Sequence, residues 1–252
     1  MNQQPQPDNV YIDSSQCVRA TAYHNDVQVV LPHAIHAADG FSLRICLHSM
    51  SIANTQMCVN LYCDTLSISG VSVTLPSGNY SASSLTAALA AAFTTRSVTF
   101  NAITSKITFA SAATMTISGN MCSILGINEG SSGLQISSAY NVDLSATHTI
   151  NVFTSLANAS LDASANRRRG LLASVQVNVG PLCVLHYLDT TATQGGIIDA
   201  RSVAEFRLSL FDDAGRPLLA SCAFNAMIKF TQVATGVRDL KIERPGSLAA
   251  PM

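Results

Sequence analysis

Hydrophobic and polar side chains alternate with a period of two along much of this chain. In residues 41–48, Phe41, Leu43, Ile45 and Leu47 fall on one face and Ser42, Arg44, Cys46 and His48 on the other; in residues 203–211, Phe206, Leu208 and Leu210 alternate with Glu205, Arg207 and Ser209. Successive side chains of an extended strand point to opposite faces, so this pattern predicts half-buried strands with one face turned to a core. Shorter β-runs lie at 10–12, 27–31, 57–69, 134–136, 140–153, 171–179, 182–188, 218–222 and 226–233. Turn signals separate them, the clearest being Asp212-Asp213-Ala214-Gly215-Arg216-Pro217, which reads as the reversal of a hairpin. Roughly a dozen strands and a single helix favour a β-sandwich or jelly roll.

The helix sits in the one stretch that breaks the alternation, residues 75–127. Pro76 and Gly78 close a β-run at 71–75, because proline lacks the ladder N–H and glycine tolerates positive φ. Ser81 or Ser83 can cap a free N–H of the first helical turn, and Leu85, Leu89 and Phe93 recur every four residues on one face. Val98 and Phe100, then Ile107 and Phe109, alternate on either side of a reversal at 101–105, which makes a hairpin. Helix and hairpin each have one apolar face, so they should close on one another or on the sheet that carries them.

Composition bounds the chemistry. The apolar fraction of the 252 residues is 48% and the charged fraction 12%, about half the usual share, with Ser, Thr and Asn filling the difference. A formal net charge of −1 gives no electrostatic case for nucleic acid or an anionic membrane. The longest apolar run, 87–93, is far short of the ~20 residues needed to cross a bilayer, and the N-terminus shows no signal peptide, so a soluble chain is expected. Seven cysteines at irregular spacings argue against a disulfide framework and for buried, reduced thiols.

No cluster of reactive residues stands out. His33 and His36 have metal-ligand spacing, but Pro32 and residues 34–39 read as a loop and no carboxylate partner accompanies them. Cys58 and Cys63 are five apart on what reads as one strand, which would send them to opposite faces. Cys46 and His48 share a face, yet two ligands do not make a site. His24, His148 and His186 come with plentiful Ser and Asp, but neither a Gly-x-Ser-x-Gly elbow nor a phosphate-cradling glycine loop is present. No cofactor, metal or small-molecule substrate is implied. Asn79 and Asn158 begin glycosylation sequons at the frequency so Ser/Thr-rich a chain gives by chance. Arg167, Arg168 and Arg169 form the one basic run, in a small, polar loop at 156–170; they are solvated, or set to bind a carboxylate-rich neighbour or packaged DNA.

The order of short motifs supports a family resemblance. Val-Tyr-Ile-Asp-Ser stands at 10–14, Ser-Ile-Ala-Asn at 51–54, Leu-Pro-Ser-Gly-Asn-Tyr-Ser at 75–81, Val-Thr-Phe at 98–100, Lys-Ile-Thr-Phe at 106–109 and Ile-Leu-Gly-Ile at 124–127, before a late strand–Asp-Asp-x-Gly–strand. In this the chain resembles the penton and minor capsid proteins of the double-jelly-roll virus lineage, including Polinton-like viruses, virophages and their large DNA-virus relatives. It departs from their pattern where Ser15, Gln16, Cys17 and Val18 intervene before Arg19.

The resemblance implies a mainly β protein: a jelly-roll β-sandwich at 10–237 with an embedded short helix plus β-hairpin element at 75–127, either an insertion or part of the main sheet. It also implies a virion subunit synthesised in the host cytoplasm or nucleus, a homopentameric penton, with itself and the major capsid protein as partners and other minor capsid or fibre proteins as further neighbours. An interstitial cement protein of the same particle and a receptor- or glycan-binding sandwich from a fibre are the alternatives. Expected assembly contacts are Gln3, Gln4 and Gln6 in a mobile arm at 1–9, Arg167, Arg168 and Arg169, and Arg238, Lys241 and Arg244 in a tail at 238–252.

Overall fold

A computed structural model describes residues 8–20, 25–145, 147–156, 170–191, 195–198, 200–219 and 223–234. In chain order these form β1 (Asp8–Asp13), β2 (Val18–Arg19), β3 (Asp26–His36), β4 (Phe41–Ala53), β5 (Thr65–Ile68), β6 (Val71–Thr74), α1 (Ala82–Ala92), β7 (Ser97–Asn101), β8 (Lys106–Ser118), α2 (Cys122–Leu125) and β9 (Ser132–Ser137). The chain continues through β10 (Thr149–Thr154), β11 (Leu171–Gln176), β12 (Val184–Leu188), β13 (Gly196–Ile198), β14 (Ser202–Phe211) and β15 (Phe224–Ala234).

The strands make three five-stranded sheets. The first runs β1-β15-β4-β12, with β13 also on β4; the second runs β11-β10-β14-β3-β2. Chain order shuttles between them: β1, β4, β12 and β15 lie in one sheet and β3, β10, β11 and β14 in the other. This is the jelly roll that the alternation predicts. Inner faces meet in one apolar cluster that includes Ile12, Val27, Leu43, Ile45, Ile52, Leu208 and Ile228, all within 2% of full burial. Phe206 of β14 meets Phe230 of β15 edge to face across the layers, ring centres 5.9 Å apart.

The third sheet, β6-β5-β8-β7 with β9 on β8, shares no strand with the other two. It lies between β4 and β10 in the chain and has its own buried cluster, from Cys58 to Ile136, built on Leu66, Ile68, Leu85, Leu89, Phe93, Ile107, Phe109 and Ile117. Helix α1 packs on β7, so helix and hairpin close on one another as their single apolar faces require.

The Leu-Pro-Ser-Gly-Asn-Tyr-Ser segment fixes the entry to α1 by local bonds. The Tyr80 hydroxyl donates to the Pro76 carbonyl at 3.0 Å, Gly78 exchanges backbone bonds with Val59, and the Asn79 side chain accepts from Cys58 N–H at 3.2 Å. Ser81, not Ser83, is the N-cap: its Oγ accepts from Ser84 N–H at 3.2 Å and Ser84 Oγ accepts from Ser81 N–H at 2.9 Å. The Leu-Gly-Ile segment is equally constrained. Gly126 ends α2 at φ 65°, and a Cβ there would lie 2.4 Å from the Tyr140 carbonyl oxygen.

The reversal at 212–217 forms, with Asp212 N–H donating to the Arg216 carbonyl at 2.8 Å and Phe211 bridged to Pro217, although β14 and β15 lie in different sheets and do not pair. Three local expectations are overturned. Only Thr65–Ile68 of the run at 57–69 is a strand; Asn60 turns the preceding residues by accepting from Tyr62 N–H and Cys63 N–H. In the run at 140–153, strand begins only at Thr149. His33 and His36 lie on β3 rather than in a loop, where the register slips between Val30 and Ile35, a bulge that accommodates Pro32.

Truncating Phe206 to Ala removes half of the ring pair that spans the layers and should lower the unfolding free energy by about 3–5 kcal/mol, read from chemical denaturation. Gly126→Ala should cost about 1–3 kcal/mol, because it combines positive φ with a backbone collision.

Candidate assembly surface

Cross-strand register defines what the first sheet presents outwards. Tyr11 pairs with Met227, Met227 with Ser49 and Ser49 with Leu188, so all four side chains line up in one row on the face away from the core. Tyr11 and Leu188 end the row on the two edge strands and are 68% and 63% exposed. The next row, Asp13, Asn225, Ser51 and His186, is polar, with Ser51 Oγ and His186 Nδ1 2.9 Å apart. Few charges interrupt this face.

Both edges of the sandwich carry exposed apolar side chains. On one side β1, β2 and β3 border an open groove of about 370 Å³ lined by Val10, Tyr11, Ile12, Val18, Val30 and Leu31 among others. Val18 and Val30 on its rim are 69% and 66% exposed. At the far edge of the first sheet Val184 and Leu188 of β12 are exposed, with Leu182 just before them. The outer face of the second sheet is different in character: Arg207 holds Asp26 through two guanidinium nitrogens, and Ser209 Oγ donates to the same carboxylate at 2.9 Å.

The turn at 212–217 joins the third sheet's unit to the sandwich. On the entry leg, the Tyr62 hydroxyl donates to the Pro217 carbonyl at 3.0 Å and the Arg216 guanidinium lies 4.4 Å from the centre of the Tyr62 ring. Arg216 is set by Asp212, a nearly buried carboxylate that accepts from its backbone N–H at 2.6 Å and its Nε at 2.8 Å. On the return leg, His148 lies between two carboxylates, Nδ1 3.0 Å from Asp213 and Nε2 3.1 Å from Asp143. The hydrogen bond to Asp213 and the charge of Asp143 hold the imidazole pKa above its ordinary range.

The assembly contacts expected at Gln3, Gln4, Gln6, Arg167, Arg168, Arg169, Arg238, Lys241 and Arg244 lie outside the described residues, as do His24 and Cys222. Among the described residues no group of His, Cys, Asp and Glu is arranged to hold a metal, and no helix is long and apolar enough to cross a membrane. Cys58 and Cys63 occupy a buried turn instead of opposite faces of a strand, and the Cys63 thiol donates to the Cys58 carbonyl at 3.2 Å. Burial pushes the thiols of Cys46, Cys63 and Cys122 above their ordinary range, which keeps them protonated and weakly nucleophilic. The Asp-Asp-x-Gly-Arg-Pro signal predicts the turn at 212–217, but nothing in sequence links that turn to Tyr62 or His148.

The shuttled strand order places the protein among jelly rolls, the class that includes viral capsid domains. No family model matches the chain, and no curated protein matches it in sequence. Among solved structures it is similar to the crystal structure of the mavirus penton protein, with a TM-score of 0.51, 10% identity, and coverage of 90% of this chain and 99% of that one. The likeness spans nearly the whole of both chains and shows a shared fold.

Replacing Arg216 by Ala strips the nearly buried Asp212 carboxylate of its guanidinium and Tyr62 of its cation. The expected cost is about 1–3 kcal/mol, measured by thermal or chemical unfolding.

Proposed function

We propose that this chain is a structural protein of an icosahedral virion, the penton subunit at the fivefold vertices, working by self-assembly and by contact with the major capsid protein. The observation that carries the reading is the jelly roll itself, aligned across 90% of the chain with a mavirus penton protein that is matched over 99% of its length. A weakly charged surface, with 12% charged residues overall, suits a subunit that is covered by neighbours.

The distribution of exposed apolar side chains supports a ring. Tyr11, Val18 and Val30 lie at one edge of the sandwich and Val184 and Leu188 at the other, so each copy has two different apolar edges. An edge of one kind placed against the other kind on the next copy makes a heterologous contact, which closes when the rotation per copy divides the circle. In this reading the unit on the third sheet projects from the jelly-roll body as a separate body; Asp8 and Asn9 pair with β15, so the arm expected at 1–9 shortens to the residues before β1, and these and the tail at 238–252 reach neighbours.

The concentrated protein should sediment and scatter light with the mass of five copies, and image as closed rings. Tyr11→Asp and Leu188→Asp should each remain folded and monomeric, while an equimolar mixture of the two should form dimers, since each variant retains the edge that the other lacks. A wild-type protein that stays monomeric and is absent from purified particles would overturn the reading.

A further inference from the structure

Two observations place a titratable contact at the junction between the sandwich and the unit on the third sheet. Asp143 belongs to that unit: its N–H donates to the Ile124 carbonyl at 2.8 Å, Val142 N–H donates to the Ser105 carbonyl at 2.9 Å, and Leu144 packs on the second apolar cluster. His148 belongs to the sandwich: its carbonyl accepts from Val177 N–H at 2.8 Å immediately before β10 begins. The Asp143–His148 pair therefore spans the return leg. We propose that His148 is a pH-dependent latch, closing the return leg of the third-sheet unit onto the jelly roll when both imidazole nitrogens carry protons and freeing it when one does not.

The direction follows from the donor count. A neutral imidazole has one N–H, whereas Asp143 and Asp213 both need a donor; the imidazolium has two. Asp213 also accepts from His148 backbone N–H at 3.3 Å, so its contact keeps a donor after deprotonation. Asp143 faces only Nε2 of the ring, and the neutral tautomer that keeps Nδ1–H on Asp213 leaves Nε2 with a lone pair towards Asp143, which repels the carboxylate. Release therefore falls on the inter-unit contact.

The charged groups around the ring act in the same sense. Asp143 and Asp213 face it from the return leg and the turn, while Asp212 and Arg216 on the same turn pair with each other. Ser145 donates to the other Asp143 oxygen through its hydroxyl at 2.6 Å and its N–H at 3.0 Å. Burial raises the Asp143 pKa, but the Ser145 bonds and the His148 charge outweigh it and hold the carboxyl below its ordinary range. The imidazole pKa is raised in the folded protein, so the latch is complete below the ordinary histidine value of about 6.5 and is lost as pH rises through the folded value. At the acid end it persists until pH falls through the lowered value of Asp143.

The test uses the full chain and nuclear magnetic resonance: ring resonances give the His148 titration, and backbone amide relaxation gives the motion of residues 58–144 relative to the sandwich. His148 should titrate above about 6.5, and across that midpoint the amides of 58–144 should gain motion independent of the sandwich. Asp143→Asn should lower the midpoint by about one pH unit and give the freer motion at both ends of the range. Asp213→Asn should lower the midpoint as well. A midpoint at or below the ordinary value, or amide relaxation of 58–144 that stays constant while His148 titrates, would overturn the latch.

Discussion

Each sheet of the sandwich has one apolar face, and each can be covered only by the other. Alternation puts Leu43, Ile45 and Ile52 of the first sheet and Phe206 and Leu208 of the second on opposing inner faces, where they are almost wholly buried. A single-residue slip of any strand would exchange its buried and exposed sets, so register and burial enforce each other. The shuttling of the chain between the two layers follows from this constraint. β4 and β15 pair in one layer while β14, which precedes β15, lies in the other, so the chain changes layers between Phe211 and Phe224.

That crossing gives the molecule its joint. The turn at 212–217, which the chain makes on leaving β14, sits against the leg that departs after β4 and the leg that returns before β10. Asp212 rigidifies the turn through Arg216, and the turn then offers Pro217 and Arg216 to Tyr62 on one leg and Asp213 to His148 on the other. The two legs are held by different physics. A hydroxyl bond and a cation over a ring are insensitive to pH near neutrality, whereas an imidazole between carboxylates is not. One leg can therefore stay docked while the other responds.

What was legible in the sequence is what local physics determines. The alternation at 41–48 and 203–211, the spacing of Leu85, Leu89 and Phe93, and a serine cap at 81 or 83 each depend on neighbours within a few residues, and each appears in the structure, the cap at Ser81. Where sequence and structure part, the cause is a local competitor. Strand parity puts Cys58 and Cys63 on opposite faces, but Asn60 competes for the backbone with its side chain and turns the chain. Pro32 signals a loop, whereas a bulge on β3 tolerates it. The turn signal at 212–217 predicts that the chain reverses, as it does, and says nothing about which sheet it enters next. The expected basic and Gln-rich contacts fall outside the described residues, so the surface built here rests on different side chains, Tyr11 and Leu188, whose alignment in one row becomes visible only when the register of four strands is known.

The same register explains why a weakly charged surface need not make the protein indiscriminately sticky. On the sandwich, exposed large apolar side chains fall on the row that ends in Tyr11 and Leu188, at the β12 edge and in the groove beside β1, and others, such as Leu61, Ile103 and Tyr140, lie on the unit of the third sheet; the outer face of the second sheet is organised around Asp26, Arg207 and Ser209. A copy that stacked its first sheet on a neighbour's second would have to strip water from the half-exposed Arg207 guanidinium of that ion pair, a desolvation cost that opposes the contact. Edge-to-edge contact between unlike edges leaves it hydrated. In the proposed assembly, a charged cluster on the outer face of the second sheet would therefore disfavour a stack relative to a ring.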